Sequence, residues 1–82
     1  MEPNEKLRTV FGEVIRDLRA QKKFSQEKLA LESDIDRTYL SLLERGERNP
    51  TLKVVFALAK TLGLSPSQLV ELVHQKFSLQ TI

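Results

Sequence analysis

The chain has 82 residues, of which 40% are hydrophobic and 29% charged, with a formal net charge of +2 and no cysteine. That length holds one small domain, and the balance is that of a folded chain rather than a disordered one. The lack of cysteine excludes a disulfide framework and a thiolate metal site and fits a reducing cytoplasm. The polar residues 1–5 do not read as a signal peptide, and the apolar runs are far shorter than the ~20 residues of a membrane span.

No segment alternates polar and apolar residues between turn signals, so no strand is predicted. The first helix is predicted over residues 5–22. Leu7, Val10, Phe11, Val14, Ile15 and Leu18 recur there as one apolar stripe, Asn4 is the expected cap, and Lys22 and Lys23 suit the negative end. The second helix begins at Ser25, a good cap although Lys28 stands where a capping box would place Glu. Leu29, Ala30 and Leu31 are placed inward, and the helix ends near Ser33 and Asp34. The third starts at the cap Asp36 and ends before Gly46, with Leu40 and Leu43 inward and Ile35 as a staple before the cap. Residues 46–50, with a glycine and a proline, form a loop. Thr51 caps a fourth helix over residues 52–62, with Val55, Leu58, Ala59 and Leu62 inward and Gly63 ending it. Ser65 followed by Pro66 opens a fifth helix that runs to about Lys76, and the tail from Phe77 to Ile82 is expected to fray unless it docks. The connections are short, so the expected fold is all-α: a compact five-helix bundle, residues 1–82, in one domain.

Residues 25–45 read as a helix-turn-helix. Two helices that cross steeply at a tight turn need a small residue where they approach, and Ala30 supplies it. Leu29, Ile35, Leu40 and Leu43 lock the pair to the bundle. Arg37, Thr38, Ser41, Leu42 and Arg45 then share the outward side of the third helix. Arginine can pair bidentately with guanine, and threonine can bond a base edge. Threonine and an exposed leucine can both touch a thymine methyl, and the short Ser41 lets the helix lie deep in a groove. Taken alone, the same face is equally a solvated surface with one stray leucine.

Three blocks in order decide between these readings. They are Ser-Gln-Glu-Lys-Leu-Ala at residues 25–30, Leu-Ser-Leu-Leu-Glu-Arg-Gly-Glu-Arg-Asn-Pro-Thr-Leu at 40–52, and Leu-Ala-Lys-Thr-Leu-Gly-Leu-Ser at 58–65. Together they resemble the Cro/CI (Xre-type) helix-turn-helix family, with its lambda-repressor-like fold, over about residues 7–73. Within it, Asp-Arg-Thr-Tyr-Leu-Ser at residues 36–41 is similar to the controller proteins of restriction–modification systems. The resemblance implies a homodimeric transcriptional regulator that binds double-stranded DNA at a palindromic operator in the cytoplasm. It implies no cofactor, metal or small-molecule substrate. The output would be promoter occlusion or contact with RNA polymerase, with restriction–modification genes as the regulated set.

Carried over by position, Arg37, Thr38 and Ser41 read bases, with Leu42 and Arg45 beside them. Ser25 and Gln26 bond a phosphate where the second helix exposes free amides. Tyr39, Arg48, Asn49 and Lys53 hold the backbone. The family usually has glycine in the turn where this chain has Asp34, a residue that tolerates the left-handed conformation better than most. The family also pairs an arginine of the first helix with the glutamate of the Glu-Arg-Gly block. Arg19 and Glu44 are therefore expected as an internal ion pair rather than DNA contacts.

The fifth helix and tail carry more apolar residues than one face of a small bundle needs: Leu69, Val70, Leu72, Val73, Phe77, Leu79 and Ile82. A homodimer interface through Leu69, Leu72, Val73 and Phe77 is expected, the alternative being a long core helix with a disordered tail. Two-fold symmetry would space the recognition helices by about 34 Å, one turn of DNA. A different reading of the whole chain is an interaction module, such as an antitoxin or a phage- or plasmid-type repressor acting mainly through a protein partner. An enzyme is unsupported. His74 is the only histidine, Ser25, Ser33 and Ser65 read as caps, and no Gly-x-Gly arrangement occurs.

Overall fold

The computed structural model describes residues 2–80, which form α1 (Pro3–Gln21), α2 (Gln26–Ser33), α3 (Arg37–Glu44), α4 (Leu52–Thr61) and α5 (Pro66–Leu79). No strand occurs among the described residues. Each helix begins on a side chain that accepts from the third backbone amide: Glu2, Ser25, Asp36, Thr51 and Ser65. For α1 this corrects the expected cap. Pro3 takes the first helical position, where its missing N–H costs nothing, so Glu2 rather than Asn4 is the capping residue. At α5, Ser65 and Gln68 form a reciprocal capping box.

The apolar stripes converge on one core: Val10, Phe11, Val14 and Ile15 of α1, Leu29 and Ala30 of α2, Leu40 and Leu43 of α3, Val55, Leu58 and Ala59 of α4 with Leu62, and Leu69 and Val73 of α5. Helix α1 packs on α3 and α5, α2 on α3 and α4, and α4 on α5. The short α3 is thus cradled between α1 and α2.

Three expectations are corrected here. Leu31 is 81% exposed, not inward. One residue further along a helix is about 100° further around it, which carries Leu31 away from the face that Leu29, Ala30 and Ser33 bury. Leu69 and Val73, expected at a dimer interface, are 0% and 7% exposed and belong to the core of the single chain. Helix α5 also continues past Lys76 to Leu79 instead of fraying there. Phe77 packs against the core under the Lys6 ammonium, 4.6 Å from the ring centroid. Lys76 lies 3.6 Å from the Glu13 carboxylate and 3.4 Å from that of Asp17. The end of the expected tail, Thr81 and Ile82, lies outside the described residues.

Gly12 is buried in the middle of α1, where a Cβ would collide with the backbone carbonyl oxygens of Leu43 and Glu44. Only a glycine lets α1 lie this close to the last turn of α3. At the other end of the motif, Asp34 closes α2 with φ 56°. The Ile35 amide reaches back to the Ala30 carbonyl at 3.0 Å, the bond that defines this type of helix stop. A non-glycine residue held in that region costs roughly 1–2 kcal/mol.

These two positions give opposite expectations in urea denaturation. Gly12→Ala lowers the midpoint, by about 1–3 kcal/mol or more in stability, because backbone rather than a flexible side chain must move. Asp34→Gly raises it by about 1 kcal/mol.

Candidate nucleic-acid interface

Helix α3 has two sharply different sides. Leu40, Leu43 and Glu44 are buried, and Tyr39 is half-buried against the core. At about 100° per residue, Arg37, Thr38, Ser41, Leu42 and Arg45 fall within an arc of about 140° turned away from Tyr39, Leu40 and Leu43, with Glu44 at its edge beside Arg37. Arg37, Thr38 and Arg45 are exposed, while Ser41 and Leu42 are half-buried. Leu42 is therefore a partly sheltered edge of this face rather than the exposed leucine expected. Arg45 lies against its own helix, its Nε 3.4 Å from the Ser41 carbonyl and 3.6 Å from the Glu47 carboxylate. Both side chains of that pair are more than half exposed, so it holds Arg45 only weakly. Arg37, Arg48 and Lys53 form no ion pair among the described residues, and each is exposed.

The far end of α3 is tied to the bundle by charge. Arg19 of α1 donates from Nε to Glu44 Oε2 at 2.7 Å and from Nη2 to Glu44 Oε1 at 2.9 Å, a two-pronged pairing. Its Nη1 donates to the Phe24 carbonyl at 2.9 Å. These bonds raise the Arg19 pKa, chiefly through the hydrogen bond to Glu44, while burial works the other way. Arg8 Nε donates to the Gly46 carbonyl at 3.2 Å, just beyond α3.

The residues expected to hold phosphates are placed unequally. Ser25 Oγ accepts from the Lys28 amide, which leaves the hydroxyl proton available. Gln26 Nε2 donates to Glu44 Oε1 at 2.9 Å, so part of this side chain is already engaged. The Tyr39 hydroxyl donates to the Asn49 carbonyl at 3.3 Å and joins α3 to the following loop. Asn49 and Arg48 are exposed in that loop, and Lys53 is exposed in the first turn of α4. Asp36 caps α3 through its carboxylate. The sequence reading passed over Gly12 and Arg8, which set the position of α3 from α1. A signal for Gly12 exists: a lone glycine inside a helical stripe costs about 1 kcal/mol and calls for a packing reason.

A capped helix, a tight turn, and a second helix clamped on one side with its polar residues turned out together define a helix-turn-helix DNA-binding regulator. The chain belongs to the helix-turn-helix family HTH_3, whose pattern matches residues 15–69. It is 44% identical over 66 residues to the control protein C.BamHI of Bacillus amyloliquefaciens, covering 79% of this chain and 82% of that one. The restriction–modification controller protein C.AhdI of Aeromonas hydrophila is 42% identical and superposes with a TM-score of 0.73 over 76% of this chain and 94% of its own. The controller protein C.Esp1396I, solved as a tetramer in complex with its natural 35 base-pair operator, is 35% identical with a TM-score of 0.78, over 87% and 93% of the two chains. These relatives are transcriptional regulators rather than enzymes, and no described helix here is long and apolar enough to cross a membrane.

The ion pair predicts an asymmetry in stability. Arg19→Met strands the Glu44 carboxylate, whose side chain is 2% exposed, and costs about 3–5 kcal/mol. Glu44→Gln keeps an oxygen for Arg19, itself 19% exposed, and costs about 1 kcal/mol. Paired urea melts measure both, and the reverse order would show that burial of Glu44 does not control the site.

Proposed function

We propose that this chain is a sequence-specific transcriptional regulator that binds a palindromic operator as a homodimer and controls restriction–modification genes. The observation that carries the reading is the outward arc of α3. Arg37 and Thr38 are exposed and Arg45 is only weakly held, while Leu40 and Leu43 anchor the opposite side. In this reading Arg37, Thr38 and Ser41 meet base edges in the major groove, and Leu42 and Arg45 lie beside them. Ser25, Gln26, Tyr39, Arg48, Asn49 and Lys53 fix the register on phosphates. The protein works in the cytoplasm, where its DNA lies. Its effect on transcription follows from blocking a promoter or touching RNA polymerase.

The dimer face differs from the set expected from sequence. Of those four residues only Leu72 is counted among the exposed large apolar side chains, and Leu52, Phe56 and Val70 of α4 and α5 are exposed as well. Leu72 lies about 200° around α5 from Val70 and faces elsewhere, whereas Leu52, Phe56 and Val70 on adjacent helices support association of two copies there. The relative seen as a tetramer on its operator supports a further step, two dimers on one DNA.

Selection of bound duplexes from random DNA tests the reading, and a palindromic consensus is the expected result. On the selected duplex, Arg37→Ala weakens binding by about 1–3 kcal/mol and relaxes preference at one base pair in each half-site. Arg48→Ala or Lys53→Ala weakens all duplexes alike and lowers the salt slope by about 1. Wild-type affinity in an Arg37→Ala, Thr38→Ala double variant would exclude α3 as the reader. Phe56→Glu is expected to sediment as a monomer and to lose cooperative binding to the two half-sites.

A further inference from the structure

The side chain of Glu44 touches three donors, and only two come from its ion-pair partner. Arg19 supplies Nε and Nη2, and the third is the carboxamide nitrogen of Gln26, 2.9 Å from Glu44 Oε1. Gln26 is the first residue of α2, immediately after the cap Ser25. We propose that Glu44 is a positioning residue for Gln26: it fixes which way the Gln26 carboxamide faces, and so what that side chain offers to DNA. The proposal rests on the DNA-binding reading given above.

The argument starts from donor and acceptor inventory. An ionised carboxylate can only accept, so the Gln26 group facing Glu44 must be the nitrogen, not the oxygen. Arg19 donates to both oxygens of this carboxylate, at 2.7 and 2.9 Å, so Glu44 faces its neighbours as an acceptor. One carboxamide N–H is thereby committed inward. One N–H and the oxygen remain for the half-buried Gln26 to present outward, beside the free backbone amides of the α2 start. An isolated surface glutamine would sample both amide orientations and several rotamers, and ordering it on DNA would cost entropy. Here a buried ion pair has already ordered it. The same carboxylate thus holds α3 to α1 and sets a contact residue on α2, coupling both helices of the motif through one side chain.

A double-mutant cycle on duplex affinity separates this role from a purely structural one. In the wild-type background Gln26→Ala is expected to weaken binding about tenfold, the size of a hydrogen bond to a charged group. In the Glu44→Gln background residue 44 can present either an oxygen or an NH2 group to Gln26, so the amide orientation is no longer fixed, and Gln26→Ala is expected to cost no more than about twofold. If Glu44 only anchors α3, both backgrounds lose the same factor, and the proposal is overturned. It is also overturned if Gln26→Ala is silent in both, while the Arg37→Ala result still supports the DNA-binding reading. If no duplex is bound at all, both fall together.

Should Glu44→Gln fail to fold, NMR of the wild-type protein decides. The Gln26 side-chain amide is expected to exchange more slowly than those of the exposed Gln21, Gln68 and Gln75. It should keep that protection when DNA is added, with only its outward proton shifting. Loss of protection on binding would mean that Gln26 leaves Glu44, which excludes the proposed role.

Discussion

A carboxylate taken almost wholly out of water is tolerable only if every lone pair that faces protein finds a donor and a positive charge lies beside it. Glu44 meets that condition through Arg19 on α1 and Gln26 on α2, and no buried side-chain polar atom is left without a partner among the described residues. The rest of the site depends on this. Helix α3 has only eight residues, too few to be stable alone in water. Its existence and its direction both come from what grips it. The ion pair grips the last residue. Gly12 lets α1 lie directly against the backbone of that same turn, and Arg8 fixes the carbonyl just beyond it. At the first turn, the Asp36 cap satisfies the Tyr39 amide, and half-buried Ile35 packs against the core.

Rigid placement of this kind separates two kinds of side chain on one short helix. Leu40 and Leu43 spend their surface on the core, and what remains is held at a fixed angle without being packed. The backbone that carries these side chains is fixed before a ligand arrives, so only their own rotamer freedom is left to lose on contact. The cost appears in the turn. Asp34 occupies a left-handed conformation that glycine would adopt freely, and Lys23 does the same at the end of α1. A small bundle with modest core area carries both strains because its five side-chain caps and its single core are otherwise consistent.

Most of the fold was legible in the sequence because its signals are local. Caps at Ser25, Asp36, Thr51 and Ser65 and stops at Gly46 and Gly63 lie within a few residues of what they control. The family resemblance added the pairing of Arg19 with Glu44, which lie 25 residues apart and which periodicity cannot connect. What could not be read was the sharing of buried surface among helices. Leu69 and Val73 look like surplus on α5 until α1 and α4 are seen to close over that face. Leu31 looks like core until a helix of eight residues is seen to have room for only one buried side. The role of Gly12 is a contact between backbones, to which no side-chain pattern points. The engagement of Gln26 depends on a distance between two helices that spacing along the chain does not encode.

The exposed apolar residues of α4 and α5 acquire a reason when affinity is counted. One copy of α3 offers a short arc of contacts, each good base pairing contributing about 1–3 kcal/mol of discrimination. Much of the remaining binding energy comes from phosphates and is not specific to sequence. A single domain of this size is therefore a weak discriminator. In the proposed dimer, the second half-site is bound at the high effective concentration set by the first, so discrimination is applied twice. Burying Leu52, Phe56 and Val70 between copies would hold that geometry by an apolar contact that salt does not screen, while the DNA contacts weaken as counterions accumulate. The two surfaces thus respond differently to ionic strength. That difference would let the proposed dimer persist where its grip on DNA is released.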